Sequence, residues 1–168
     1  MRIFSLALLL SSYFLYNSTG SIDENALSSL SLVVNITKHI QFKSSGSTES
    51  GEENLQELVD YLPSFMWVVR DFSLQLVDEE GNEMTSKEYL ERALQERGSD
   101  LKNEIRTHLK KFFKERECCT MIRPLTNEEE LQNLESMDLD ELRAEFVEQV
   151  MLLRRKVINR IKPKAING

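Results

Sequence analysis

Phe65-Met66-Trp67-Val68-Val69 is an unbroken apolar run of strand-forming residues that ends abruptly in the charged pair Arg70-Asp71. A run so short and so apolar reads as a buried β-strand. Pro63 stands before it and stops a short amphipathic helix marked by Leu55, Leu58, Val59 and Leu62. Two other segments have strand character. Tyr13-Phe14-Leu15-Tyr16 suits a buried strand ended by a turn at Asn17–Gly20, and Cys118-Cys119-Thr120-Met121-Ile122 is uncharged and closed by Arg123-Pro124.

Helical patterns lie between these strands. Ser21-Ile22-Asp23-Glu24 reads as a capping box, and Ile22, Ala26, Leu27, Leu30, Val33, Val34 and Ile40 then keep helical spacing. Residues 43–53 contain no apolar member and read as a solvated, flexible loop. Residues 74–85 read as irregular or hairpin-like around Glu80-Gly81-Asn82. Thr85-Ser86-Lys87-Glu88 is a second capping box, opening a helix with Tyr89, Leu90, Ala93 and Leu94 that Gly98 breaks. Leu101, Ile105, Leu109, Phe112 and Phe113 mark the next helix. Thr126-Asn127-Glu128-Glu129 reads as a third capping box before a short helix with Leu131 and Leu134. Asp138 is expected to start a long last helix carrying Leu142, Phe146, Val150, Leu153, Val157 and Ile161. Its polar face runs from acidic (Asp140, Glu141, Glu145) to basic (Arg154, Arg155, Lys156, Arg160), an order that complements the helix dipole and reads as a solvated face. Strands alternating with helices predict an α/β fold with a mainly parallel sheet.

Composition removes several classes of function. The chain of 168 residues has 28 acidic and 21 basic side chains, a formal charge of -7, and so lacks the electrostatic footprint of a non-specific nucleic-acid binder. Two adjacent cysteines, Cys118 and Cys119, make neither a disulfide scaffold nor a zinc finger. No apolar run approaches the roughly 18 residues of a transmembrane helix. The start, Met1-Arg2 followed by Ile3–Leu10, has two readings. One is a secretory signal cut near Gly20; of the two glycosylation sequons that follow the apolar stretch, Asn17 precedes that cut and Asn35 lies beyond it. The other is that these residues belong to the core.

Most catalytic patterns are missing. His39 and His108 are the only histidines and have no ligand spacing to another His or Cys. There is no Gly-x-Ser-x-Gly, no glycine-rich dinucleotide loop, and no Gly-Lys-Ser/Thr loop whose amides and lysine would hold β- and γ-phosphates. The informative spot is Arg70-Asp71. In open α/β sheets, ligands bind outside the carboxyl ends of the strands. A carboxylate emerging there accepts two parallel hydrogen bonds, and guanine offers two adjacent donors on one edge. Adenine lacks that pair. Arg70 has a planar guanidinium suited to lie on a base face. The dipeptide alone also fits an ordinary surface pair.

The chain resembles the large GTPases of the guanylate-binding protein family, whose G domain atlastins share. The resemblance runs from Arg2–Ser18 to Pro163–Gly168. Pro63–Phe72 resembles the strand bearing the family's Thr-Leu-Arg-Asp guanine motif, with Val68-Val69 in place of Thr-Leu. Cys118–Leu125 resembles the last sheet strand and its Arg-Pro, and Phe146-Val147-Glu148-Gln149-Val150 resembles the helix that follows.

The resemblance implies a partial three-layer αβα G domain of the P-loop NTPase type, with residues 1–168 as its C-terminal part and the N-terminal half missing. Asp71 would read guanine, Arg70 would touch the base beside it, and Pro124 would begin the guanine cap. Through that cap two G domains would meet as a homodimer. Thr126-Asn127-Glu128-Glu129 is acidic where vertebrate members are basic. The ligand implied is GTP or GDP, with Mg2+ only in the intact protein, and the location implied is cytoplasmic. The chain alone is expected to be inactive, since it lacks the phosphate loop, and to fold poorly with exposed strand edges. The contrasting expectation is a non-catalytic, secreted or partner-binding module without residues 1–20.

Overall fold

The computed structural model describes residues 2–31, 59, 61–97 and 102–164. Three strands form one parallel sheet in the order β1-β2-β3: β1 (Tyr13–Thr19), β2 (Ser64–Arg70) and β3 (Arg116–Thr120). The helices are α1 (Arg2–Leu10), α2 (Glu24–Ser29), α3 (Ser86–Ala93), α4 (Asn103–Phe112) and α5 (Ala144–Arg160), with a 3-10 helix at Glu130–Ser136. This is the α/β architecture that strand–helix alternation predicts.

Strand β2 is central, and Phe65 to Val69 are all buried because both faces of the sheet are covered. Side chains alternate between the faces. Phe65, Trp67 and Val69 point into the larger cluster, with Leu8 of α1, Leu27 of α2, Leu90 of α3, Leu109 and Phe112 of α4, and Phe113. Phe65 stacks on Phe113 with ring centroids 4.6 Å apart, and Trp67 meets Tyr16 edge-on at 5.1 Å. Met66 and Val68 point the other way, against Cys119 and Met121, under Phe146, Val150 and Leu153 of α5. Four helices on one face and α5 on the other make three layers.

Several elements depart from the sequence reading. Strand β1 is not buried throughout, since it lies at one edge of the three-stranded sheet and Leu15 is exposed. Ser21 does not form a capping box. The Asp23 carboxylate caps α2 instead, accepting from the Asn25 and Ala26 amides at 3.0 and 2.8 Å. That leaves Glu24 free to reach the buried Arg106 of α4. Helix α3 ends at Ala93, before Gly98.

Thr126 caps nothing, and the 3-10 helix beyond it has no side-chain cap. The last helix begins at Ala144 rather than Asp138, because Glu141 folds back to the Asp138 amide at 2.7 Å in a separate turn. Its late basic face is only partly solvated: Lys156 and Arg160 reach Glu117 at the start of β3. The Thr85–Glu88 capping box forms as read, and Val77 and Glu83 bridge around Gly81. The readings at 32–58 (sequon Asn35, His39, the loop 43–53 and Leu55–Leu58) lie outside the described residues. No described helix is long and apolar enough to cross a membrane.

Candidate functional site

At the end of β2 the chain turns sharply. The backbone there is fixed by three hydrogen bonds: Gly20 N–H donates to Arg70 O at 2.7 Å, Met121 N–H to Val69 O at 2.8 Å, and Phe72 N–H to Met121 O at 2.9 Å. Between these anchors Asp71 adopts φ +53°, the only left-handed non-glycine residue described. Aspartate is among the few residues that tolerate this region, and the conformation persists where surrounding bonds over-determine it. Asp71 is half-buried, and among the described residues nothing hydrogen-bonds or ion-pairs with its carboxylate.

Asp71 lines a recess of about 600 Å³ at the carboxyl ends of β2 and β3. One wall is the β2 exit, with Phe72 and Leu74. The opposite wall is the β3 exit, with Thr120, Ile122, Arg123 and Leu125. Arg143 and Gln149, before and within α5, close the side. The Thr120 hydroxyl lies 3.0 Å from that of Ser86 at the start of α3. The recess therefore presents one open carboxylate, two guanidinium groups and apolar flanks.

The other two expected site residues border the recess without lining it. The exposed Arg70 turns back to β1, its Nε donating to Asn17 Oδ1 at 2.8 Å. Pro124 contributes its carbonyl, which accepts from the Arg143 amide at 2.9 Å, while its neighbours Arg123 and Leu125 face the recess. Arg143 and Gln149 are the members that sequence reasoning missed. Nothing in their local sequence marks them, because their positions depend on where α5 crosses the sheet.

Other candidates resolve as structural. The His108 ring Nδ1 lies 2.6 Å from Glu104 O and the ring stacks on Phe112. Cys118 and Cys119 are free and buried, and burial pushes the Cys118 thiol up to about 12. Among the described residues no three His, Cys, Asp or Glu side chains gather as a metal site. The sequon at Asn17 lies within β1, its Oδ1 held by Arg70 and the Ser18 hydroxyl accepting from Trp67 Nε1 at 2.8 Å.

A family model described as "Guanylate-binding protein, N-terminal domain" matches residues 1–164. Guanylate-binding protein 2 of Mus musculus is 40% identical over 171 residues, which cover 99% of this chain and 28% of that protein. Guanylate-binding protein 1 of Homo sapiens is 37% identical over 172 residues, covering 99% of this chain and 29% of that protein. The chain thus spans less than a third of the length of these relatives.

Proposed function

The chain belongs to the guanylate-binding protein family, and from that premise we propose that it carries the guanine-recognition wall of a GTP-binding domain, with Asp71 as the base-reading carboxylate. One observation carries the reading. A carboxylate without a partner among the described residues is held by a fixed, left-handed backbone at the mouth of a recess beyond the carboxyl ends of β2 and β3. Its two oxygens accept guanine N1–H and the exocyclic amine. Adenine presents an acceptor at the equivalent ring nitrogen and leaves the carboxylate unsatisfied.

Arg70, adjacent to Asp71 and tied to Asn17, is the proposed contact to the base from the β1 side. Pro124 and the segment after it are the proposed cap. The same cap is the proposed meeting face of two such domains. It is acidic, and Glu128 is occupied by Arg123 at 2.7 Å. The ligand class is GTP or GDP. Mg2+ is proposed only for the intact protein, and the sequence holds no Gly-Lys-Ser/Thr loop. No hydrolytic step is therefore assigned to these residues, and the 168-residue chain is expected to show no GTP turnover. GTP hydrolysis is proposed for the intact protein, in the cytoplasm. The secreted alternative is disfavoured by packing: Leu8 is part of the core, and β1 pairs with β2 from Tyr13 to Thr19.

The test is an NMR titration of the full chain with GMP and AMP. GMP is expected to shift resonances around Asp71 with a Kd on the order of 1 mM, with AMP clearly weaker. Asp71→Asn keeps the backbone, since asparagine also tolerates the left-handed region. It is expected to lose about 10- to 100-fold of guanine preference, a charge-assisted hydrogen bond being worth about 1.5–3 kcal/mol. The variant is expected to turn toward xanthosine monophosphate, whose carbonyl can accept from the new amide. Equal binding of GMP and AMP, or an unchanged preference in the variant, overturns the reading.

A further inference from the structure

The ladder between β2 and β3 ends at Met121, whose amide and carbonyl both bond to the β2 strand and its exit. Ile122 is the first residue beyond it. Its N–H donates to the side-chain Oε1 of Gln149 on α5 at 2.8 Å. Two residues on, the Pro124 carbonyl accepts from the Arg143 amide at 2.9 Å. Residues 122–124 are therefore held to α5 and its lead-in at two points. Ile122 and Arg123 of this segment, with Leu125, form the wall across from Asp71.

We infer that Gln149 is a positioning residue for the recess: its side-chain carbonyl replaces the missing strand partner of Ile122 and sets the distance between the β3-exit wall and Asp71. The inference rests on the guanine reading of Asp71 and adds the side chain that shapes the space the base enters. The half-buried Ile122 amide, next to a strand end, finds in Gln149 the acceptor that the ladder no longer supplies. The first two turns of α5 present glutamine toward that amide, while Phe146 and Val150 beside it pack on Met66, Val68 and Met121. The helix that covers one face of the sheet thereby also fixes the rim of the recess. A displacement of the wall by even a fraction of an ångström changes the fit of a planar base.

The experiment uses the full chain, GMP and AMP, and amide exchange at Ile122. Gln149→Met keeps the side-chain length and removes the acceptor. It is expected to speed Ile122 exchange and weaken GMP binding about tenfold, the scale of one lost hydrogen bond. Gln149→Glu retains an acceptor and is expected to keep Ile122 protected and the GMP-to-AMP ratio within about threefold of the parent. In the parent chain GMP is expected to slow Ile122 exchange, a readout that holds even if Gln149→Met does not fold.

A stability loss in Gln149→Met with unchanged GMP affinity overturns the positioning role. So does an Ile122 amide indifferent to GMP, or a Gln149→Glu chain that behaves like Gln149→Met. If Asp71→Asn has lost guanine preference in the same series, those results leave the base reading standing. If Asp71→Asn has not, the base reading itself fails.

Discussion

The two rims of the same three-stranded sheet use charge differently. At the amino ends of the strands nearly every charge has an opposite number. Glu117 meets Lys87 at 3.5 Å and both Lys156 and Arg160 at 3.7 Å. Glu115 takes the Ser64 hydroxyl at 2.9 Å and Arg160 at 3.4 Å, and Arg116 pairs with Glu91 at 2.7 Å. At the carboxyl ends Arg123 pairs with Glu128 at 2.7 Å, but Asp71 has no partner among the described residues and Arg143 is held only distantly, its Nε 3.9 Å from Glu145. Charges that neutralise one another join α3, α5 and β3. A carboxylate left open on a strained backbone contributes little to the fold and is the natural place for a ligand's donors.

The contrast breaks if the paired rim matters to ligand or the open rim matters more to stability. Glu117→Gln is expected to have the largest structural effect, because it removes the carboxylate that Lys87, Lys156 and Arg160 share, on a side chain that is only 22% exposed. Unfolding in urea should show a loss of about 1–3 kcal/mol, with the GMP-to-AMP ratio unchanged. Thr85→Ala removes the N-cap of α3 and is expected to cost about 1 kcal/mol in the same assay.

The capping box also gives a pH signature. The backbone amide and then the hydroxyl of Thr85 hold the Glu88 carboxyl below its ordinary 4.5. Its contribution is whole above pH 4.5 and lost as pH falls through the folded value. The difference between parent and Thr85→Ala should therefore shrink in acid.

The effect that is smallest near neutral pH grows only in alkali. Burial, then the neighbouring Cys119, raises the Cys118 thiol from 9.0 to about 12. The neutral thiol is the form the fold favours. Stability is complete below pH 9 and declines as pH rises toward 12, by about 1 kcal/mol per pH unit. Cys118→Val should flatten that decline in urea curves, with only a few tenths of a kcal/mol between the chains at pH 9. A parent chain with no alkaline slope would mean that the thiol is reached by water.

What could be read from sequence was whatever neighbouring residues decide. The strand at Phe65–Val69 follows from one short apolar run, and the box at Thr85–Glu88 from residues three apart. Asp71 was legible because a charge directly after a buried strand has to emerge at its end. Choices between equal local options were not legible. Ser21 and Asp23 can each cap α2, and Arg106, thirteen residues beyond Ala93, draws Glu24 away from the serine. Strand β3 starts two residues early, at Arg116 and Glu117, because α3 and α5 supply their counter-charges. Arg143 and Gln149 join the recess only through the path of α5 across the sheet, which no short window of sequence contains.

The left-handed turn at position 71 also narrows the mutational routes open to the protein. Its backbone angle admits few replacements without strain, chiefly glycine and asparagine. On the proposed reading of Asp71, both would alter what the recess prefers before they disturb the sheet. Single-nucleotide drift at this codon would then appear first as a lineage with altered ligand choice and an intact fold.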